Sequence, residues 1–454
     1  MTLPAALEVV PVAAPVGARI AVPGSKSETN RALILAALGE GRVTLYGALW
    51  SDDTEVMVAC LRTLGVEIEV LPDASEPSNR TFVVDGCGGD FAPGGTVARP
   101  VELYVGNAGT ATRFLTALVA LGDGAYKLSG TPRMHERPQG ALFAALRQLG
   151  YRVDGSGPNG DRLPVVVHGA GARPGACDVS IEESSQFASA LLLCAAYGEW
   201  EVTISDANAE ESPYVSMTEQ VIDVFPQTDE GDGEYQIEGD ASSASYLVGA
   251  NLLAGLALRA QGGAFVQVPS DLQSPIPGGD PIEVTNWPHS GWQFDERFGA
   301  FCEAALRGEP PEVVSRTTDL ADSILTAIVV APLLARPVRF VDLDHLRVQE
   351  CDRVAVLYEG LTRCGARVEM IGDDLLVYPS TLHGATIETY EDHRIAMCFT
   401  MLGLFVPGMV ILNPSCVSKT FPNFFEKLAA PLPDGLGATF RDPSTGRAVT
   451  ELGA

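Results

Sequence analysis

The chain has 454 residues, 46% of them apolar and 19% charged, which is comfortable for two globular domains. A formal net charge of −28 argues against binding nucleic acid or an anionic membrane through the overall field. The longest apolar run, near Ile324–Ala335, is too short to span a bilayer, and no basic segment opens the chain as a secretory signal would; nine scattered cysteines and six histidines show neither pairing rhythm nor zinc spacing, so the expectation is a cytoplasmic protein with reduced thiols.

Arg19–Val22 reads as a short strand feeding the first helix. That helix opens with Gly24-Ser25-Lys26-Ser27-Glu28-Thr29-Asn30-Arg31 and runs on through Ala32–Leu38. Small polar residues leading into an apolar helical pattern mark an N-terminus whose free N–H groups and positive dipole end suit an anion. Lys26 and Arg31 add full charges there, and lysine is scarce, with only Lys26, Lys127, Lys419 and Lys427 in the chain. Taken alone, the stretch reads equally well as a capped helix with a solvated basic residue. Val43–Tyr46 is a predicted strand, and Ser51-Asp52-Asp53-Thr54 caps a helix over Glu55–Leu64 that Gly65 ends. Val66–Val70, Phe82–Val84 and Val101–Val105 follow as strands by β-branched and aromatic content. Ala141–Leu149 is a helix, Arg152-Val153 begins a strand, Val165–Val167 and Val202–Ile204 are strands, and Met217–Phe225 is a helix. The alternation predicts an α/β protein throughout.

The acidic, Gly-rich stretch Gln227–Gly239 marks a domain boundary. Phe265–Trp292, rich in Pro, Gly and Asp, reads as an inserted loop region. After Leu432 a Pro/Gly-rich tail, residues 433–454, is expected to be loosely ordered.

The first helix start has five companions. Gly106-Asn107-Ala108-Gly109-Thr110-Ala111-Thr112-Arg113 opens Phe114–Leu121, and Ser184-Ser185-Gln186 opens Phe187–Tyr197. Asp240–Ser245 opens Tyr246–Leu256, Asp319–Ser323 opens Ile324–Leu334, and Glu391-Asp392-His393-Arg394 opens Ile395–Phe405. Each is a small or charged turn followed by a helix too apolar to lie on a surface. Recurrence at about 60–80 residues suggests a repeated supersecondary unit, longer than the usual solenoid periods.

Basic residues cluster at these heads and in tight loops: Lys26, Arg31, Arg113, Arg133, Arg137, Arg347, Arg353, Arg394 and Lys419. Each alone reads as a surface ion pair; together they suit a ligand with several negative charges. Asp322, Glu350, Asp352 and Asp392 share the motifs. Carboxylates among opposite charges can serve acid–base chemistry without a metal, although Asp322 could equally be a helix cap and Glu350 an ion-pair partner of Arg353. His393 reads first as a structural histidine.

Eight motifs then carry a resemblance: Pro-Gly-Ser-Lys-Ser-x-x-Asn-Arg, Gly-Asn-Ala-Gly-Thr-Ala, Pro-Arg-Met-x-Glu-Arg-Pro, Ser-Ser-Gln, Glu-Gly-Asp-Ala-Ser-Ser-Ala-Ser-Tyr, Arg-Val-x-Glu-x-Asp-Arg, Asp-His-Arg-x-Ala-Met and Lys-Thr-Phe-Pro. In this order, from Arg19 to Leu428, they resemble the EPSP (5-enolpyruvylshikimate-3-phosphate) synthase family of enolpyruvyl transferases. The resemblance implies a two-domain fold, each domain built of three βαβαββ-type repeats with helix N-termini facing the interdomain cleft. The domains would be residues 24–238, and residues 1–23 with 239–432. It implies transfer of the enolpyruvyl group of phosphoenolpyruvate (PEP) to a hydroxyl with release of phosphate and no metal or other cofactor. The implied partners are PEP and an acceptor alcohol, with no nucleic acid or membrane, and the implied state is a monomer.

By that resemblance PEP is held by Lys26, Asn107, Gly109, Arg133, Gln186, Arg353, Arg394 and Lys419. Asp322 matches a base at the acceptor hydroxyl, and Glu350 and Lys26 match groups that move a proton at the PEP methylene. Ser27, Arg31, Ser184, Ser185 and Tyr214 match acceptor contacts, and so do the positions of His345 and Gln349. At those last two the family carries asparagine and lysine, and Glu211 stands where it carries serine. A lost charged hydrogen bond is worth roughly 1.5–3 kcal/mol, so a phosphorylated acceptor would be held less tightly. Three functions follow: an EPSP synthase, an enolpyruvyl transferase for another alcohol such as a nucleotide or a natural-product intermediate, or a non-catalytic anion-binding relative. Retention of Lys26, Asp322, Glu350 and Lys419 counts against the third.

Overall fold

The computed structural model describes residues 3–12, 17–205, 212–226, 232–260 and 282–453. Two compact units divide the chain: a central one, Pro23–Glu238, and a terminal one made of Met1–Val22 with Gly239–Ala454.

In the central unit, Gly233–Gln236 lies parallel to Arg42–Leu49, which pairs antiparallel with Asn79–Asp85, itself antiparallel to Glu67–Pro72. Val101–Tyr104, Asp123–Ser129, Arg162–Ala170 and Arg152–Ser156 repeat that order and those directions. Gly175–Ser180 and Trp200–Ser205 form a third, parallel pair. The terminal unit repeats the scheme. Val313–Ser315, Val338–Val341, Asp374–Val377 and Val368–Ile371 form one sheet. Thr386–Ile387, Met409–Leu412, Ala6–Val10 and Thr439–Arg441 form another, and Ile282–Val284 pairs parallel with Ala18–Ile20.

Every one of these sheets contains a parallel pair, which needs a crossover rather than a hairpin. In four of them the crossover is a polar-headed helix: Gly109–Leu118, Gln186–Gly198, Ile324–Val330 or His393–Gly403. The other two heads, on Lys26–Leu38 and Ala241–Ala260, begin just after the chain passes from one unit to the other. Two repeats are contiguous and show the βαβαββ order outright. One runs from Val101 to Ala170 through the helices Gly109–Leu118 and Gly140–Gln148; the other runs from Val313 to Val377 through Ile324–Val330 and Arg353–Arg363. All residues of Gly109–Leu118, Ile324–Val330 and His393–Gly403 are buried, as their all-round apolar sequence requires. At the first head, a Cβ on Gly24 would collide with the Gly47 carbonyl, so glycine lets this backbone pass its neighbouring strand.

The structure corrects three sequence expectations. The segment after Leu432 is not loose: Phe440 pairs with Val9, and Leu436, Ala438, Phe440 and Leu452 are buried in the terminal unit's core. Its apolar residues alternate at Leu436, Ala438 and Phe440, so an edge strand can bury one face. The region Phe265–Trp292 is not all insertion. Residues 265–281 lie outside the described residues, but Ile282–Val284 is a strand and Trp287 packs on the core. The helix expected over Ile324–Leu334 tightens into a 3₁₀ turn at Ala331–Leu333, where Pro332 cannot continue the α-helical bonding. Of the boundary stretch, residues 227–231 lie outside the described residues, and the passage between units falls between Glu238 and Gly239. Among the described residues no helix is long and apolar enough to cross a membrane.

Candidate active site

The expected site residues fall into a group in each unit. In the central unit Lys26 is the first residue of its helix, which Ser25 caps by accepting the Glu28 N–H. Lys26 Nζ lies 3.3 Å from Asp53 Oδ2, in the first turn of the helix Asp52–Thr63. Arg31, one turn further along its helix, is buried and turned into the unit. Its Nε donates to Thr218 Oγ1 at 2.8 Å, its Nη1 to the Ser27 carbonyl at 2.9 Å, and its Nη2 to Ser189 Oγ and the Tyr214 carbonyl, both at 3.1 Å. Burial pulls the Arg31 guanidinium down to about 10. Four of its five N–H groups are thus engaged within the unit.

Gly109 heads the next helix between two buried arginines. A Cβ there would collide with Arg113 Nη1 and lie 2.7 Å from Arg137 Nη2. Arg113 donates from Nη1 to Gln186 Oε1 at 3.1 Å and from Nη2 to the Pro138 carbonyl, and Arg137 donates to the Asn107 carbonyl at 3.4 Å. Asn107, Gly109 and Gln186 are therefore joined through Arg113 and Arg137. Ser185 holds the N-cap position of the helix that Gln186 begins, without a side-chain cap bond, and Ser184 Oγ accepts the Gln186 N–H. Arg133 pairs with Glu136 at 2.9 Å, its side chain partly exposed.

The terminal unit holds the carboxylates. Asp322 Oδ2 lies 2.9 Å from Arg394 Nη2, and its Oδ1 lies 3.7 Å from Arg316 Nη2. Burial pushes the Asp322 carboxyl up, but the Arg394 and Arg316 guanidiniums outweigh it and hold the group at about 2. Asp322 is not the N-cap residue of its helix: Ser323 holds that position, without a side-chain cap hydrogen bond. The turn leading to it is irregular: Arg316–Leu320 forms a wide π-type turn, and Ala321 follows with φ 22°. Asp295 stands alongside. It accepts the Ser323 N–H at 2.6 Å on Oδ1 and the Ser242 hydroxyl on Oδ2, and burial and the Asp322 charge push it up to about 6.

Glu350 lies between Arg353, 2.8 Å from Oε2, and Lys419, 3.6 Å from Oε1. The Arg353 ion pair considered from sequence is present, with a lysine on the other oxygen. Arg353 also donates from Nε to Asp392 Oδ2 at 2.7 Å, and Asp392 caps its helix by accepting the Arg394 N–H at 2.9 Å. Nearby charge, chiefly Asp392 and Glu350, overcomes burial and holds the Arg353 guanidinium well above its ordinary range. Asp352 instead caps Arg353–Arg363 and pairs with Arg347, which also holds Asp373 at 2.6 Å. His345 is buried, 3.8 Å from Asp344, and Gln349 ends the short turn Asp344–Val348 half-buried. Glu211 lies outside the described residues.

Three groups escaped the sequence reading. Arg316 sits in a Val-Val-Ser-Arg-Thr-Thr-Asp stretch that carries no helix-head signal, Asp295 borders the region read as a loop, and Asp53 reads as a cap. Only Asp53 lay within a stretch that periodicity had already marked.

Repeated sheets of this order form a fold shared with enolpyruvyl transferases of known structure. An EPSP synthase structure from Acinetobacter baumannii shares the fold, with a TM-score of 0.64 over 96% of this chain and all of that one at 22% identity. So does the enolpyruvyl transferase NikO from Streptomyces tendae, with a TM-score of 0.59 over 96% of this chain and 98% of that one at 15% identity. The profile of the family described as EPSP synthase (3-phosphoshikimate 1-carboxyvinyltransferase) matches residues 11–428. Relatives named 3-phosphoshikimate 1-carboxyvinyltransferase are 35% identical in Nostoc sp., over 91% of this chain and 96% of the relative, and 37% identical in Rhizobium etli, over 97% and 100%. The chain belongs to the EPSP synthase family and is a transferase.

Proposed function

We propose that this chain moves the enolpyruvyl group of PEP onto a hydroxyl of 3-phosphoshikimate and releases phosphate. The full-length likeness to relatives of that name is the observation that carries the acceptor. Lys26, Asn107, Gly109, Arg133, Gln186, Arg353, Arg394 and Lys419 bind the PEP carboxylate and phosphate. Ser27, Arg31, Ser184, Ser185, Tyr214, His345 and Gln349 contact the acceptor.

Replacing phosphate by an alcohol at the enol carbon needs an acceptor for the hydroxyl proton and groups that give and take a proton at the methylene. Asp322 takes the first role. Arg394 and Arg316 keep it ionised across the working pH range, so it is always ready to accept a hydrogen bond from the hydroxyl. Such a low affinity for protons makes it a weak base at rest, and proton transfer to it becomes favourable only as the hydroxyl acidifies in the transition state. Glu350 and Lys26 serve the methylene, with Lys419 beside Glu350 to stabilise its charged form.

A second reading, an enolpyruvyl transferase for another alcohol, is favoured by Gln349 and His345 in place of the family's lysine and asparagine. One experiment decides between the readings: phosphate release from PEP across a panel of alcohols that includes 3-phosphoshikimate and UMP. Turnover of 3-phosphoshikimate at about 10⁴ M⁻¹s⁻¹ or more, cut roughly 10²–10⁴-fold by Asp322→Asn with PEP binding kept, is the expected result. Turnover only with another panel member, together with a gain for 3-phosphoshikimate on Gln349→Lys, moves the conclusion to the second reading.

A further inference from the structure

Asp322 follows a strained turn that is held at both of its ends. The wide turn Arg316–Leu320 is followed by Ala321 at φ 22°, a conformation that alanine holds only when its surroundings impose it. The N-terminal end of the turn is fixed by Ser315, whose N–H donates to Asp319 Oδ2 at 2.8 Å and whose hydroxyl accepts the Thr317 and Thr318 N–H groups at 3.1 and 3.0 Å. The C-terminal end, immediately after Asp322, is fixed by Asp295 through the Ser323 N–H at 2.6 Å. The other oxygen of Asp295 accepts the hydroxyl of Ser242, in the first turn of the helix Ala241–Ala260. A single buried carboxylate thus ties two polar-headed helices together beside the group that receives the acceptor proton. Ser323 adds its own hydroxyl bond to the Leu320 carbonyl at 3.0 Å and Arg394 grips the Asp322 carboxylate itself, while Asp295 fixes the backbone on which Asp322 sits.

We infer that Asp295 is a positioning residue for Asp322, holding the strained turn so that the Asp322 carboxylate meets the acceptor hydroxyl. The inference rests on the reading of Asp322 as the acceptor-side base. Its physical basis is that small misplacements of a reacting group are costly, about 10²-fold for 1 Å. Asp295→Asn keeps an oxygen for the Ser323 N–H, but it removes the charge that makes that bond strong and replaces the oxygen facing Ser242 by a donor.

The test uses the full-length protein in four forms: wild type, Asp322→Asn, Asp295→Asn and the double variant. Each is measured for phosphate release from PEP with 3-phosphoshikimate, or with whichever panel alcohol replaces it, for PEP affinity without acceptor, and for melting temperature. The expected result is that Asp295→Asn slows turnover about 10- to 100-fold with PEP affinity unchanged, and that it adds nothing in the Asp322→Asn background. A loss that multiplies in the double variant, or wild-type turnover by Asp295→Asn, overturns the inference. If Asp295→Asn does not fold, Ser242→Ala takes its place. That variant removes one of the two hydrogen bonds and keeps the carboxylate, and its smaller slowing must likewise vanish in the Asp322→Asn background. Normal turnover by Asp322→Asn alone would sink the reading of Asp322 and this inference with it. A slow Asp322→Asn beside a silent or multiplicative Asp295→Asn sinks only the inference.

Discussion

Arg353 is committed to protein before any ligand arrives. It is buried with a fully buried Asp392 on one side and Glu350 on the other, at 2.7 and 2.8 Å. Breaking such a pair strands a charge in a low-dielectric interior, at a cost of about 3–5 kcal/mol. Arg353→Ala should therefore lower the melting temperature as well as weaken PEP binding, the latter by about 2–5 kcal/mol. Arg353→Lys keeps a charge but not the two-pronged geometry that spans Asp392 and Glu350, so it should recover only part of either loss. Calorimetric titration with PEP beside scanning calorimetry separates the two effects. An alanine variant with ordinary PEP affinity and a lowered melting temperature would leave Arg353 a structural residue only. Sequence can name Arg353 because its motif is local; it cannot show that Asp392, 39 residues away, takes up the same side chain.

Helix heads were the most legible elements. Each combines a polar turn with an all-apolar helix, and that contrast is written in consecutive residues at all six positions. Strands were legible where β-branched runs are long, as in Val165–Val167. They were missed where pairing comes from far away: Thr439–Arg441 gains its place from Ala6–Val10, and no window of sequence contains both. The first head also carries a pH effect that sequence did not suggest. Glu28 is buried, accepts the Tyr235 hydroxyl at 2.8 Å and the Glu238 N–H at 3.1 Å, and is pushed by burial from 4.5 up to about 7. The folded state then holds a proton that the unfolded chain releases near pH 4.5. The contribution of the protonated form is complete below that pH and is lost as pH rises through about 7. By linkage this loss amounts to about 3 kcal/mol at most. Glu28→Gln cannot titrate, so the difference in melting temperature between wild type and variant should move in the variant's favour between pH 5 and pH 8. A difference that stays constant across that range would show that Glu28 keeps an ordinary carboxylate affinity.

At the scale of the whole chain, the central unit is one uninterrupted segment, Pro23–Glu238, and the terminal unit is assembled from both ends. The two segment ends of the central unit are fastened together: the Ser25 N–H donates to the Glu238 carbonyl at 2.8 Å, and Glu28 accepts the Glu238 N–H. Its last strand, Gly233–Gln236, returns to pair with Arg42–Leu49 and so completes a sheet begun about 190 residues earlier, a separation read from the register of Gly233 with Val43. Segments whose ends meet and whose sheets close internally are the kind that fold when excised. Residues 23–238 made alone should therefore give native-like near-ultraviolet circular dichroism and one cooperative thermal transition. Residues 23–226 should not. That shorter piece leaves Arg42–Leu49 with an open edge and removes Tyr235 and Glu238 from the buried Glu28, which exposes a strand to edge-to-edge association. It should melt lower and run as aggregates on size exclusion. Equal behaviour of the two pieces would mean that Gly233–Gln236 is dispensable to the central unit, and a disordered 23–238 would mean that this unit draws its stability from the remainder of the chain.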